Sequence, residues 1–241
     1  MLPSSRNSAH PTGNRLLDAL PNGERERIRA EMHLNPLRPH DVLLEEGRAL
    51  RNVHFPLVGV VSLMTPLVDG ASIETATVGN EGMVGVHAFL GGGALGNARA
   101  IGQVPGEMLS MDVDVFRALV DDDGKLRTLM FAYMQALFAQ ISQAVACNSA
   151  HEIQQRTAKW LLESHDRAGG SDVFQLTQEF LAEMLGVTRP SVSVAARTLQ
   201  EAGLITYRRG EITVLDRQGL EESACECYAA VQREYARLVG A

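Results

Sequence analysis

The sequence predicts an α+β fold of three consecutive parts: a β-rich N-terminal half, one long helix, and a C-terminal unit of short helices closed by a hairpin. Short apolar runs separated by Gly and Pro fill residues 42–113, a texture typical of an antiparallel barrel or sandwich. From about Val113, apolar residues recur at three- and four-residue steps, which indicates a helix. After Leu176, two short helical patterns precede a pair of strand-like runs.

Composition and charge restrict the classes of protein that the chain can belong to. It has 241 residues, 45% of them hydrophobic and 21% charged, with a net charge of −7. Such a chain can form one large or two ordinary domains. A negative charge argues against indiscriminate coating of nucleic acid, so any contact with DNA must come from a local basic patch. No segment is expected to supply a membrane helix or a secretory signal, and we expect a cytoplasmic protein without membrane contact.

The changes of pattern set the expected boundaries. Residues 1–14 are polar and are expected to form a disordered leader, residues 15–121 the β-rich domain, residues 122–149 the long helix, and residues 150–241 the C-terminal domain. The runs at residues 42–44, 53–55, 58–64, 73–78, 98–104 and 108–113 are expected to be strands. Asp69 followed by Gly70 is the strongest hairpin signal, and Pro105 followed by Gly106 predicts a further turn.

The long helix presents an apolar stripe to one side. Its members are Leu126, Met130, Tyr133, Leu137, Ile141 and Ala144. A narrow stripe at these steps suits a partner helix, and it predicts a homodimer formed through this face. The alternative is that the stripe covers the core of its own β domain. The sequence leaves both readings open.

The C-terminal unit carries the most specific pattern in the chain. Thr177 can cap a first helix, Gly186 can supply a tight turn, and Thr188 can cap a second helix that has Pro190 in its first turn. This is the pattern of a helix-turn-helix. The two strand-like runs that flank Gly210 complete it as a wing whose turn presents two arginines.

The outer face of the second helix and the wing carry side chains suited to duplex DNA. The major groove admits one helix, whose first side chains reach base edges while Arg, Ser and Thr bind phosphates. Between Gly186 and Gly210 the sequence has four arginines and one acidic residue, which makes the unit locally basic. The candidate DNA-binding residues are Thr177, Gln178, Thr188, Arg189, Ser191, Val192, Ser193, Arg197, Arg208 and Arg209. The alternative is a metabolite- or nucleotide-binding regulatory module whose winged helix contacts a protein.

From about Leu16 to Leu215 the sequence resembles the Crp/Fnr regulators. In the N-terminal half the resemblance rests on Glu46-Gly47 and on residues 53–59 and 79–85. It implies a β-roll of the cyclic-nucleotide-binding type, a long dimerisation helix, a winged helix-turn-helix that binds a two-fold DNA operator, and RNA polymerase as a further partner. It also implies that Arg189 reads a base and that Arg197 contacts phosphate.

Pro190 and Val194 depart from the family pattern and imply a different operator sequence. The ligand pocket departs further. The family's phosphate cassette resembles a Gly-Glu pair and an Arg-Ser or Arg-Thr pair, because a buried phosphodiester needs a positive partner. Here Val86 and Gly96 stand at the acidic and basic positions, and strand alternation predicts that Arg99 faces away. We expect a degenerate pocket that does not take cyclic AMP and whose effector is unknown. Its candidate residues are Val86, His87, Asn97, Arg99, Ile141 and Ser142.

The sequence predicts no metal site, cofactor or catalytic group. Cys225 and Cys227 form a C-x-C pair, which is a poor disulfide and an incomplete metal site, and in one continuous terminal helix they would point to different faces. Iron–sulfur binding in the family resembles a set of N-terminal cysteines, whereas the first cysteine here is Cys147. A redox role for these thiols, or haem ligation by His54 or His87, is a weaker alternative to ordinary packing. No nucleophile–base pattern or phosphate loop is present, so we do not expect an enzyme.

Overall fold

The computed structural model describes residues 11–68, 72–91, 98–122 and 124–240. Two short helices, α1 (Arg15–Asp18) and α2 (Asn22–Ala30), precede an antiparallel sheet. The strands are β1 (His33–Leu37), β2 (Val42–Leu44), β3 (Asn52–Pro66), β4 (Ser72–Val78) and β5 (Arg99–Asp112), with a 3₁₀ turn at Val86–Leu90 before β5. Their order is β1-β5-β3-β4, and β2 also pairs with β5.

Strands β3 and β5 are 15 and 14 residues long, and each replaces two of the predicted strands. The register between them shifts near Val58, where the sequence pattern predicted the end of one strand and the start of the next. The paired strands bend at this point instead of ending. Gly106 permits this bend, because a Cβ there would lie 2.0 Å from the Val58 carbonyl oxygen. The turn predicted at Pro105–Gly106 is therefore wrong. The hairpin predicted at Asp69-Gly70 lies outside the described residues.

The N-terminal leader is shorter than expected. The fully buried Asn14 side chain accepts a hydrogen bond from the Leu17 N–H and donates to the carbonyls of Pro56 at 2.8 Å and Gly82 at 2.9 Å. Thr12 binds the carboxylate of Asp18. Residues 12–14 are therefore part of the fold, and the predicted disordered leader over residues 1–14 is too long. The prediction failed because a polar residue that is buried through hydrogen bonds leaves no apolar pattern in the sequence.

Helices α3 (Val113–Asp122) and α4 (Gly124–Ala150) follow the first sheet. Leu126, Met130, Tyr133 and Leu137 of α4 are buried in the core of the β-roll, and the Tyr133 hydroxyl donates to the Met83 carbonyl at 2.8 Å. The remaining two members of the predicted stripe, Ile141 and Ala144, are half-buried. The stripe therefore covers the core of its own domain, and its assignment as the dimer contact is wrong.

The opposite face of α4 is apolar and exposed. Phe131, Phe138 and Val145 have exposed fractions of 55%, 73% and 65%. By length and composition α4 could span a membrane, although 28% of its most apolar 18-residue window is buried. Its apolar character comes from side chains on two faces, one of which is buried against the β-roll.

The C-terminal unit begins with α5 (Ile153–Asp166). It continues through β6 (Val173–Gln175), α6 (Gln178–Leu185), α7 (Arg189–Glu201), β7 (Ile205–Arg208) and β8 (Glu211–Val214), and ends with α8 (Arg217–Ser223) and α9 (Cys227–Val239). Its sheet has the order β6-β8-β7. Val60 and Met64 of β3 lie in the same core as Trp160 and Leu181, so the unit packs against the β-roll. Helix α9 returns to pack along α4.

Candidate nucleic-acid interface and associated sites

Helices α6 and α7 form the predicted helix-turn-helix. The Thr177 hydroxyl accepts a hydrogen bond from the Phe180 N–H at 3.2 Å and caps α6. Gly186 has a left-handed φ of +62°, a conformation that glycine adopts without strain, and it turns the chain towards α7. Leu181, Met184 and Leu199 fill the space between the helices. These local features position α7 with one face buried and the other free.

The outer face of α7 carries four of the ten predicted DNA-binding residues. Arg189 and Arg197 are exposed, and Ser191 and Ser193 are half-buried. Val192 has an exposed fraction of 0%, so its assignment as a DNA-binding residue is wrong: at its helical position it belongs to the inner face. Val194, which is not among the predicted DNA-binding residues, has an exposed fraction of 66%.

The hydrogen bonds at the start of α7 hold its polar side chains. The Thr188 hydroxyl pairs with that of Ser191 at 3.0 Å and makes no capping bond to the backbone, contrary to expectation. The Ser193 hydroxyl donates to the Gln178 amide oxygen at 2.6 Å and ties α7 to α6. Arg189 Nη1 lies 2.9 Å from a Glu179 carboxylate oxygen, with both side chains 63% exposed. An exposed pair of this kind contributes at most about 1 kcal/mol, so Arg189 can exchange this partner at little cost.

The wing is a hairpin, as predicted, but its turn consists of Arg209 and Gly210, and Arg208 is the last residue of β7. Arg208 and Glu211 are paired across the ends of β7 and β8, and Arg209 and Gly210 both have positive φ, of 53° and 80°. Two positive φ values match the turn that continues the twist of a hairpin. Both arginines are exposed. The Tyr207 hydroxyl donates to the Leu176 carbonyl at 2.7 Å, which anchors the wing beside the start of α6.

The described members of the predicted ligand pocket do not form one lining. Val86 and His87 lie on the 3₁₀ turn, and Arg99 begins β5. Ile141 packs against the core of the β-roll, whereas Ser142 is exposed on another face of α4. Neighbouring residues on a helix point about 100° apart, so these two side chains lie on different sides of α4. Asn97 and Gly96 lie outside the described residues.

His87 is buried, and its Nε2 has no hydrogen-bond partner among the residues that the structure describes. Burial and the nearby charge of Arg117 lower the pKa of His87, which favours a neutral ring. Two cavities at the junction of the β-roll and the C-terminal unit, of about 40 Å³ and 50 Å³, contain none of the six predicted pocket residues in their linings. Each has room for water molecules but not for a nucleotide.

The β-rich domain and the C-terminal unit each match the model of a known family. The model of the cyclic nucleotide-binding domain matches residues 34–123, and the model of the Crp-like helix-turn-helix domain matches residues 155–223. The chain belongs to the Crp/Fnr family of transcription regulators. Regulators of this family are generally not enzymes, which agrees with the prediction from the sequence.

Solved structures of Crp/Fnr proteins share the fold. A putative Crp/Fnr transcriptional regulator from Eubacterium rectale superposes with a TM-score of 0.65 at 16% identity, over 92% of this chain and 100% of that one. FixK2 from Bradyrhizobium japonicum gives 0.67 at 17% identity, over 80% and 98%. A CRP/FNR family regulator from Thermus thermophilus gives 0.63 at 22% identity, over the same shares. No curated protein matches the chain.

In this Crp/Fnr chain, a buried ion pair joins the β-roll to the helix that leads into the DNA-binding unit. Arg167 Nη2 lies 2.7 Å from Glu81 Oε1, and its Nε donates to Oε2 at 3.1 Å. Burial alone would raise the pKa of Glu81, but the charge and hydrogen bonds of Arg167 hold it below its usual value. A Cβ on Gly79 would lie 2.2 Å from the Arg167 side chain. The motif at residues 79–85, identified from the sequence as a family feature, therefore makes room for this arginine.

The cysteines of the Crp/Fnr chain are arranged differently from the prediction. Helix α8 ends at Ser223, and Ala224 is extended with a ψ of 158°, so the terminal segment is not one helix. This break turns Cys225 and Cys227 towards Cys147. With His151 they form a group whose potential ligand atoms all lie within 4.8 Å of one another. The C-x-C pair was expected to be an incomplete metal site on a continuous helix, whereas the structure places Cys147 and His151 beside it.

Proposed function

We propose that this Crp/Fnr regulator is a homodimer that binds a two-fold operator in duplex DNA through α7 and that it does not respond to cyclic AMP. The observation that carries the DNA-binding role is the exposure of four arginines, Arg189, Arg197, Arg208 and Arg209, on one helix face and one wing. Because the whole chain has a net charge of −7, a local basic surface is what attraction to phosphates requires. Binding to DNA also implies the cytoplasm as its location.

The positions of these residues support separate roles. Arg189, in the first turn of α7, can donate two hydrogen bonds to guanine O6 and N7. The exposed isopropyl group of Val194 is suited to the methyl group of thymine. Arg197, Arg208 and Arg209 are assigned to phosphates, which fix the position of the protein without reading sequence. Thr177, Gln178, Thr188, Ser191 and Ser193 are assigned to orienting α7 and to polar contacts with the backbone.

The exposed face of α4 supports the dimer. Its members follow alternating steps of three and four residues, the repeat of a two-stranded coiled coil. They are Thr128, Phe131, Gln135, Phe138, Ser142, Val145 and Ser149, and we call them the exposed α4 face. A second copy of α4 would cover the two phenylalanine rings. This arrangement would place the two recognition helices about a dimer axis, as a two-fold operator needs.

A titration of operator DNA tests the role of the basic surface. Fluorescence anisotropy with a site selected from random duplexes should show that Arg189→Ala weakens binding by about 1–3 kcal/mol and removes the preference at one base pair per half-site. Arg208→Ala should weaken all sequences alike and reduce the slope of log K against log salt by about one per subunit. Arg48→Ala, an exposed arginine on the β-roll, is the matched control and should change neither.

The same titration separates DNA binding from the alternative module that contacts a protein. If no duplex binds with a salt-dependent affinity, the alternative is favoured and the operator proposal fails. If Arg189→Ala keeps the full base preference, α7 is not the helix that reads the groove.

Calorimetry tests the sensor assignment. Val86 and the described part of the expected cassette offer no acidic residue for a ribose hydroxyl, so cyclic AMP and cyclic GMP should bind no more tightly than about 1 mM. A dissociation constant below about 1 µM for either would place a counter-charge in the pocket and contradict the assignment. The identity of an effector and a contact with RNA polymerase each need a screen of their own.

A further inference from the structure

Four side chains with metal-binding atoms meet where three segments join. Cys147 lies near the end of α4, His151 lies in the connection to α5, and Cys225 and Cys227 lie between α8 and the first residue of α9. We call this group the Cys₃His cluster. All three cysteines are buried and form an apolar cluster of their own, separate from the two main cores. The thiols are free.

The spacing within the Cys₃His cluster fits one tetrahedral metal ion. The sulfurs of Cys147 and Cys225 are 3.5 Å apart, and the sulfur of Cys227 lies 3.5 Å from His151 Nδ1. Zinc bonds of about 2.3 Å to sulfur and about 2.0 Å to nitrogen, at tetrahedral angles, place two sulfurs about 3.8 Å apart and a sulfur and a nitrogen about 3.5 Å apart. These two pairs lie within a few tenths of an ångström of that geometry, and the most widely separated ligand atoms, within 4.8 Å of each other, would have to approach by up to about 1 Å.

Two neighbours are placed to support such ligands. The Nε2 of His151 lies 3.2 Å from a carboxylate oxygen of Glu226. A carboxylate at this position commonly accepts a hydrogen bond from one ring nitrogen of a metal-binding histidine, which leaves the other nitrogen free to bind the metal. The side-chain amide of Gln143 donates to the sulfur of Cys227 at 3.0 Å, a bond that stabilises a thiolate.

We propose that the Cys₃His cluster is a structural Zn²⁺ site, with Cys147, Cys225, Cys227 and His151 as its four ligands. Each coordinating thiol gives its proton to solvent and its sulfur lone pair to the metal, and His151 binds as the neutral ring through Nδ1. The site then has a charge of −1, beside Lys159, whose positive charge interacts with Cys147. Sulfur and imidazole ligands at tetrahedral spacing favour Zn²⁺. An iron–sulfur cluster distributes its ligands over two or more iron atoms and would not fit so compact a group.

The location gives the metal a structural role. His151 lies at the bend between α4 and α5, and the two C-terminal cysteines lie at the break before α9. One ion would therefore fasten α4, the start of the DNA-binding unit and the terminal helix together. That consequence for DNA binding rests on the proposed function, whereas metal binding itself does not.

Metal content of the full chain tests the proposal. Purified protein, reduced with a phosphine and dialysed, should retain or take up one Zn²⁺ per chain, measured by plasma mass spectrometry. The Co²⁺ form should show the visible bands of tetrahedral cobalt and a thiolate-to-metal absorption in the near ultraviolet. Zn²⁺ should also raise the midpoint of thermal unfolding.

Variants assign the ligands. Cys225→Ser and Cys227→Ser should each lower Zn²⁺ affinity by at least about 100-fold against a chromogenic chelator, and Glu226→Gln should lower it by about 10- to 100-fold through His151. Asn148→Ala, an exposed residue between Cys147 and His151 that belongs neither to the cluster nor to the exposed α4 face, is the matched control and should bind as the wild type does.

Three results would overturn the proposal: folded, reduced wild type that takes up less than about one tenth of a Zn²⁺ per chain at micromolar free metal; a Cys225→Ser variant with unchanged affinity; or thiols that form a Cys147–Cys225 disulfide and bind no metal after reduction. None of these outcomes depends on DNA, so failure of the metal site and failure of the operator proposal are separable.

Discussion

Glu74 is a carboxyl group enclosed between the β-roll and the C-terminal unit. Its Oε1 accepts a hydrogen bond from the Trp160 indole at 3.0 Å, and the Ser62 hydroxyl donates to Oε2. Burial raises the pKa of Glu74 from the ordinary 4.5 to about 7. The side chain therefore gains or loses a proton near neutral pH while in contact with both parts of the molecule.

This raised pKa makes stability depend on pH in a defined direction. Because folded Glu74 holds its proton more tightly than the unfolded chain does, its contribution is fully present below pH 4.5 and is lost as pH rises through about 7. Glu74→Gln, which remains neutral, should flatten the fall in the free energy of unfolding between pH 5 and 8, measured by urea denaturation.

The matched control is Glu45→Gln, at an acidic residue in an exposed pair with Arg48. It should leave the pH dependence of the wild type unchanged. Equal slopes for Glu74→Gln and the wild type would mean that Glu74 is ionised throughout this range.

At the scale of a single element, α4 separates two kinds of apolar residue that are adjacent in sequence. Leu137 is buried in the β-roll core, and Phe138 is 73% exposed. Phe138→Glu should leave the far-ultraviolet circular dichroism unchanged and weaken the dimer by at least about 100-fold in sedimentation equilibrium, because two like charges would face each other.

Leu137→Ala provides the contrast within the same helix. It should lower the free energy of unfolding by about 2–5 kcal/mol, the cost of a cavity in the core, without a specific effect on association of the folded protein. A dimer that survives Phe138→Glu at micromolar concentration would exclude the exposed α4 face as the contact.

How much of each element could be predicted depends on whether its determinants are local. The helix-turn-helix was predictable because Thr177, Gly186 and Pro190 act within a few residues of their positions. The burial of α4 was not, since both of its faces are apolar and only the β-roll decides which one it covers. The bend near Val58 depends on a strand more than 40 residues later in the chain. The Cys₃His cluster depends on the break at Ala224, and the sequence pattern on both sides of that residue is helical, so the break was not predictable.

At the scale of the whole molecule, the buried Arg167–Glu81 pair links the end of α5 to the β-roll. Arg167→Met should lower the free energy of unfolding by about 3–5 kcal/mol, because Glu81 would be left as an unpaired buried charge. Arg167→Met combined with Glu81→Gln should recover part of that loss, and a double-mutant cycle in urea measures the coupling.

Arg237 forms an exposed pair with Glu234 and supplies the control for this cycle. Arg237→Met should leave the free energy of unfolding unchanged within the error of the measurement. If Arg167→Met also caused little loss of stability, water would be able to replace Arg167 as the partner of the Glu81 carboxylate. The order of the three parts was predictable from sequence, whereas this contact was not, because 86 residues separate its partners.

The return of α9 to the first domain has a consequence for synthesis of the chain. Val231, Tyr235 and Val239 lie in the same core as Leu16 and Phe55. Domains generally begin to fold as they leave the ribosome, the N-terminal one first. Here the β-roll emerges early, yet its core stays open along α4 until residue 239 has left the ribosome. Chaperones therefore have a window in which to bind the nascent roll, and a chain truncated before Val231 lacks core residues of the domain that was made first.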